Sequence, residues 1–171
     1  WESALDWGRK NERGRERIWL PRGIVVPWWI GEELWRVNIR RPVGDPKYIS
    51  PAGYSVGLYN ADAIGPEKPV IVLEGEFDAL TVKQVAGDLV TPVATGSTSG
   101  ARRIQWIVQL ALCSAVMVSF DAEHDKGDRA SLYWLHILDN AFRWRPCWED
   151  VNAMAQDGVD VRAWVTAGLT H

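Results

Sequence analysis

The sequence predicts an α/β protein in which a parallel sheet with flanking helices follows a smaller, mixed α+β, strand-rich subdomain. Three observations predict it. Short apolar runs at residues 70–73, 89–94 and 115–120 alternate with segments of helical periodicity, the pattern of βαβ units and a parallel sheet. Residues 42–69 are dense in Gly and Pro and carry only short strand-like pieces. The 171 residues, 47% hydrophobic and 24% charged, suit a soluble globular chain that needs no disulfide or metal staple. The change of texture at Val70 divides the chain into residues 1–69 and 70–171.

In chain order, residues 1–22 interleave Arg9, Lys10, Arg13, Arg15, Arg17 and Arg22 with Glu2, Asp6, Glu12 and Glu16. A charge run of this kind is expected to be a solvated helix or a frayed terminus. Residues 23–30 and 34–40 are β-rich runs joined by Gly31-Glu32-Glu33, which predicts a hairpin. Alternation along it sends one of Trp28 and Trp29 to the core, and most of the eleven tryptophans are expected to be packing residues. Tyr48-Ile49 and Leu58-Tyr59 are short strand-like pieces. Residues 70–73 read as a strand buried on both faces. Phe77, Leu80, Thr81, Gln84 and Val85 follow at helical spacing, with Gly87 as the C-cap. A second strand at 89–94 leads through a flexible loop, residues 95–100, to a helix over about 101–112. The third strand, 115–120, is followed by acidic residues 121–128 and a helix to about Phe142. No internal repeat is present.

The net charge of −3 argues against a basic nucleic-acid coat protein and leaves room for a local basic groove. Cys113 and Cys147 are isolated, without His at ligand spacing, so a zinc site is not expected and a reducing, cytoplasmic location is. The most apolar stretch, 104–120, is interrupted by Gln105 and Gln109 and is too short to span a bilayer. The N-terminus lacks the apolar segment of a signal peptide. A first residue of Trp1 rather than Met is expected of a piece of a longer chain.

Glu74 ends the first parallel strand and Asp121 the third, and open parallel sheets bind ligands beyond the carboxyl ends of their strands. Asp78 opens the following helix, and Glu123 lies two residues past Asp121. Such carboxylates repel one another unless a cation neutralises them. With oxygen ligands alone, the expected ion is hard, Mg²⁺ or Mn²⁺. The plainer alternative is that Asp78 or Asp128 only caps a helix.

The arrangement resembles the TOPRIM domain, the metal-binding fold shared by topoisomerases, bacterial-type DNA primases and some nucleases. Its first motif, a strand followed by Glu-Gly and an Asp, stands here as Val70-Ile71-Val72-Leu73-Glu74-Gly75-Glu76-Phe77-Asp78. Its second, a strand ending in Asp-x-Asp, stands as Val118-Ser119-Phe120-Asp121-Ala122-Glu123-His124-Asp125-Lys126-Gly127, with Glu in place of the second Asp. Either Glu123 or Asp125 is then the second ligand. A downstream acidic pair of primases is matched by Glu149-Asp150, with Asn152 where a further acid would stand. Upstream, Trp35 to Arg41 followed by Asp45-Pro46-Lys47-Tyr48 is similar to the subdomain that precedes TOPRIM in primases, in a pattern closer to phage and mobile-element forms. The resemblance covers about residues 22–157 and does not include the zinc-binding or helicase portions of that family.

This resemblance implies a primase catalytic core that joins ribonucleotides on a single-stranded DNA template. It implies Glu74, Asp78, Asp121 and Glu123 as catalytic acids, and Glu74, Asp121, Glu123, Asp125 and Asp150 as ligands of Mg²⁺ or Mn²⁺. Arg40, Arg41, Lys47 and Tyr48 would bind nucleotide or template. Gly96 and Ser97 join them as candidates because the 95–100 loop precedes a helix N-terminus, whose free amides suit an anion, the alternative being a plain flexible connection. The implied partners are the template and nucleoside triphosphates, with room for a replicative helicase and none for a membrane. The same acids would also serve a TOPRIM nuclease, and the replacements at Glu123 and Asn152 would suit a non-catalytic nucleic-acid-binding module.

Overall fold

A computed structural model describes residues 7–14, 16–51, 54, 56–122 and 125–171. The chain divides into two compact units, up to Gly57 and from Leu58 onward.

The first unit opens with an antiparallel hairpin of β1 (Trp7–Lys10) and β2 (Glu16–Leu20). The expected solvated helix is therefore corrected to strands. Turn chemistry outweighs the charge run: Asn11 accepts the Arg13 amide on its side chain at 3.0 Å and the Gly14 amide on its carbonyl at 2.9 Å, and Gly14 takes φ +69°. Next, β3 (Ile24–Ile30), β4 (Glu33–Arg40) and β5 (Tyr48–Ile49) form a second sheet in that order. Gly31, at φ +61°, supplies the turn of the predicted β3–β4 hairpin. Trp28 is fully buried and Trp29 is half exposed, as alternation requires.

The second unit is built on a four-stranded, all-parallel sheet of β6 (Val70–Leu73), β7 (Thr91–Ala94), β8 (Val116–Ser119) and β9 (Ala141–Arg143), in the order β7-β6-β8-β9. All four residues of β6 are completely buried, as a central strand covered on both faces must be. The connecting helices are α1 (Glu76–Ala86), α2 (Ile104–Ala111) and α3 (Lys126–Ile137), and α4 (Val151–Gln156) and α5 (Val161–Leu169) close the chain. The order makes β6→β7 and β7→β8 run in opposite directions across the sheet. Right-handed crossovers then set α1 on one face and α2 and α3 on the other. Packing of α1 on α4 and α5 completes the first layer, around a core that includes Ile71, Leu73, Val82, Val165 and Met154.

Three predicted elements are adjusted. The helix expected from about 101 begins at Ile104, because Ala101 is left-handed at φ +57° and Arg103 is extended. Gly87 does cap α1, but with φ −66°: it is selected by close approach, since a Cβ there would stand 2.5 Å from the Lys83 carbonyl. The helix expected to reach Phe142 stops at Ile137, and residues 141–143 are a fourth strand. Asn140 fixes that stop by donating to the carbonyls of Leu110 at 3.0 Å and Cys113 at 2.8 Å. The segment after Leu58 covers the open edge of β7, with Tyr59 and Ala94 exchanging amide bonds of 2.9 and 3.3 Å.

Candidate functional site

The carboxyl end of the parallel sheet gathers the acids. Glu74 directly follows β6, and its carbonyl accepts the Gly96 amide at 2.8 Å. Burial raises the Glu74 carboxyl above the ordinary range, and nearby Lys126 pulls it back. Asp78 sits in the first turn of α1, only 6% exposed, and accepts the Asn152 amide on Oδ1 at 2.9 Å. Its carboxyl is pushed up to about 7, first by burial and then by Asp150, against backbone N–H bonds that favour the charge. Asp121 lies two residues beyond β8. It too is pushed up to about 7, by burial and then by Glu74, Asp78, Asp150 and Glu149 in turn. Asp150 is the N-cap of α4 and accepts the Ala153 amide at 2.6 Å.

Four predicted residues, Glu74, Asp78, Asp121 and Asp150, thus share one field of like charge. Asp125 is an exposed N-cap residue of α3 at φ +59° whose side chain makes no capping bond. Glu123 lies outside the described residues. Among the described residues, no three His, Cys, Asp or Glu side chains close on a single point as ligands of one ion. The chemistry of the donors nonetheless fits a hard divalent cation: all are carboxylates, and burial with the neighbouring acids pushes two of them, Asp78 and Asp121, up to about 7. Asp128 does not cap a helix with its side chain; it pairs with Arg143 and Arg145.

The 95–100 loop is tied to this end of the sheet. The Gly96 amide is committed to Glu74, and the Ser97 carbonyl accepts Thr95 Oγ1 at 2.8 Å and the Gly100 amide at 3.1 Å. Because α2 begins at Ile104, Gly96 and Ser97 do not form its N-terminus.

In the first unit, Arg40, Arg41 and Lys47 line a cavity of about 610 Å³ together with Arg22 and Asp45. Arg41 is anchored by the ring of Trp19 at 5.3 Å and by the Pro46 carbonyl at 3.3 Å, and Arg40 lies 6.0 Å from the ring of Tyr48. Sequence reasoning missed Arg22 as a wall of this cavity, and it missed Lys126, Arg143 and Arg145 at the acidic end, whereas Glu149 of the expected acidic pair does lie there. The alternation Phe142-Arg143-Trp144-Arg145 was the available signal, since period two marks a strand.

No family profile matches the sequence, and no curated protein matches it in sequence. Solved structures do match the fold. The primase fragment of the bacteriophage T7 primase-helicase superposes with a TM-score of 0.66 at 15% identity, over 88% of this chain and 66% of that one. A DNA primase domain from Pseudomonas aeruginosa gives 0.67 at 20% identity, over 95% of this chain and 56% of that one. The zinc-binding and RNA polymerase domains of Aquifex aeolicus primase give 0.66 at 18%, over 97% and 44%. The fold is that of the RNA polymerase core of bacterial and phage primases. The chain spans about half to two thirds of the lengths of these primase structures. Both predicted parts of the primase-type architecture are present, the parallel sheet with its helices and the strand-rich unit ahead of it.

Proposed function

We propose that this chain is a primase-type catalytic core, a nucleotidyltransferase that builds RNA primers on single-stranded DNA from nucleoside triphosphates. The observation that carries the reading is the shared field of Glu74, Asp78, Asp121 and Asp150 at one end of a primase-type sheet. Relatives by fold support it: primase domains of the T7 protein are known bound to an RNA/DNA hybrid and dTTP, and the RNA polymerase domain of Mycobacterium tuberculosis primase is known with double-stranded DNA.

Glu74 and Asp121 would hold Mg²⁺ or Mn²⁺, with Glu123, Asp125 and Asp150 as the further candidates. Bound there, the ion would ease ionisation of the attacking 3′-hydroxyl and offset charge on the transferring phosphate. The chain's own residues supply the orientation. Asp150 is fixed by its bond to the Ala153 amide, and Asp78 by the Asn152 amide on Oδ1 and by further backbone N–H groups of Gly75 and Asp78. Lys126 offsets part of the cost of burying the Glu74 charge. In the first unit, Arg40 and Arg41 offer guanidinium forks and Lys47 a point charge for phosphates of nucleotide or template. A replicative helicase is the natural partner of such a core.

The test is incorporation of labelled ribonucleotide on single-stranded DNA with Mg²⁺ or Mn²⁺. Wild type is expected to make short RNA, and Glu74→Gln and Asp121→Asn to lose at least about 100-fold in rate, equivalent to about 2.7 kcal/mol. Cleavage of the DNA without nucleotide would instead indicate the nuclease. Neither synthesis nor cleavage by wild type, with either ion, would contradict both enzymatic readings.

A further inference from the structure

Strand β9 ends at Arg143, so the β8–β9 ladder stops at the pair Val118↔Arg143 and leaves Phe120 beyond its last rung. The last backbone bond runs from the Trp144 amide to the Val118 carbonyl at 3.0 Å, and the Arg143 side chain joins it there and reaches on to Phe120. Its Nη1 donates to the Val118 carbonyl and its Nη2 to the Phe120 carbonyl, each at 3.0 Å. The same guanidinium forks onto Asp128 Oδ1, from Nε at 2.9 Å and Nη2 at 2.8 Å. Arg145, two residues on, donates from Nη2 to the Ala122 carbonyl at 3.1 Å and approaches the other carboxylate oxygen of Asp128 from Nη1 at 3.4 Å.

The consequence is specific. Asp121 lies between two residues, Phe120 and Ala122, whose carbonyls are both held by arginines, and both arginines are held by one carboxylate in the first turn of α3. The Ala122 amide is fixed from another side, by the Glu149 carbonyl at 2.7 Å. A guanidinium presents rigid, divergent donors and can satisfy all three acceptors at once, which a lysine ammonium in the same place cannot.

We propose that Arg143, assisted by Arg145, is a positioning residue for the acidic site: it sets the spacing between the end of β8 and the start of α3 and so holds the chain around Asp121 in its binding geometry. The inference deepens the metal-site reading above, and rests on it for one of two readouts. The first readout needs no metal. In Arg143→Lys, amide hydrogen exchange at Ala122 is expected to rise at least about tenfold, while that of Val72 and Val118 in the sheet changes less than about twofold. The second is Mn²⁺ affinity followed by electron paramagnetic resonance, expected to fall about 10- to 100-fold, the usual loss when a group supporting metal ligands is removed.

An ion pair that serves only stability would lower the unfolding midpoint and leave both readouts at wild-type values, and that result would overturn the proposal. If Arg143→Lys does not fold, Asp128→Asn reads the same two quantities with Arg143 in place, and wild-type values there overturn it equally. Wild-type protein that binds no Mn²⁺ would defeat the metal reading, while Ala122 exchange alone would still decide the role of Arg143.

Discussion

Asp78 and Asp121 keep their protons to about pH 7, whereas aspartates of an unfolded chain ionise near pH 4. Between those limits the folded state binds more protons than the unfolded one, so stability falls as pH rises, the reverse of a carboxylate held by a salt bridge. Metal-free protein is therefore expected to be more stable at pH 5 than at pH 7.5, by on the order of a few kcal/mol once solvent access to Asp121 is discounted. Thermal unfolding in a chelator reads this as a midpoint several degrees higher at pH 5. Asp121→Asn should flatten the slope between the two pH values. A midpoint that instead drops from pH 7.5 to pH 5 would show that these carboxyls are not held above their ordinary range. At this scale the sequence was informative about identity and poor about environment. Glu74 and Asp121 stood out because each follows a strand, and Asp78 because it opens the next helix, but nothing in the sequence says that Asp128 pairs with Arg143 and Arg145. That pairing depends on Arg143 at the end of β9 and Arg145 just past it, beyond a helix that the sequence extends to about Phe142.

At the scale of elements, the junction between β8 and α3 is the tightest near the site. Gly127, in the first turn of α3, lies so close to Asp121 that a Cβ would stand 1.9 Å from its carbonyl oxygen. Its φ is not left-handed, so contact rather than backbone freedom demands glycine. Gly127→Ala should therefore destabilise the protein by about 1–3 kcal/mol, the usual cost of overpacking, although alanine is by about 1 kcal/mol the better helix former. Urea unfolding measures the sign, and a stabilised variant would contradict the packing. Legibility at this scale followed the strength of local signals. The buried run 70–73 and the hairpin around Gly31 could be read directly, because apolar runs and turn glycines act locally. The start of α2 and the end of α3 could not, since a left-handed Ala101 and the bonds from Asn140 to α2 are tertiary choices. The first hairpin was readable in principle, through Asn11 and Gly14, and was obscured by its charge run.

For the whole molecule, the charge is divided between the two units. The first, through Gly57, has 10 Lys+Arg against 7 Asp+Glu, and the second has 9 against 15. A net charge of −3 thus hides a basic unit with the Arg40–Arg41–Lys47 cavity and an acidic one with the carboxylate cluster. No described helix is long and apolar enough to cross a membrane. The acidic excess also gives the most direct test of the central claim, that the acids beyond β6 and β8 are a divalent-cation site. Two of them are half protonated near pH 7, so binding Mg²⁺ must expel protons there. Calorimetric titration in buffers of different ionisation enthalpy measures that release. The account predicts release of on the order of one proton at pH 7, fading above about pH 8.5 and much reduced in Asp121→Asn. Mg²⁺ binding that releases no protons at pH 7, or that is unchanged by Asp121→Asn, would contradict it.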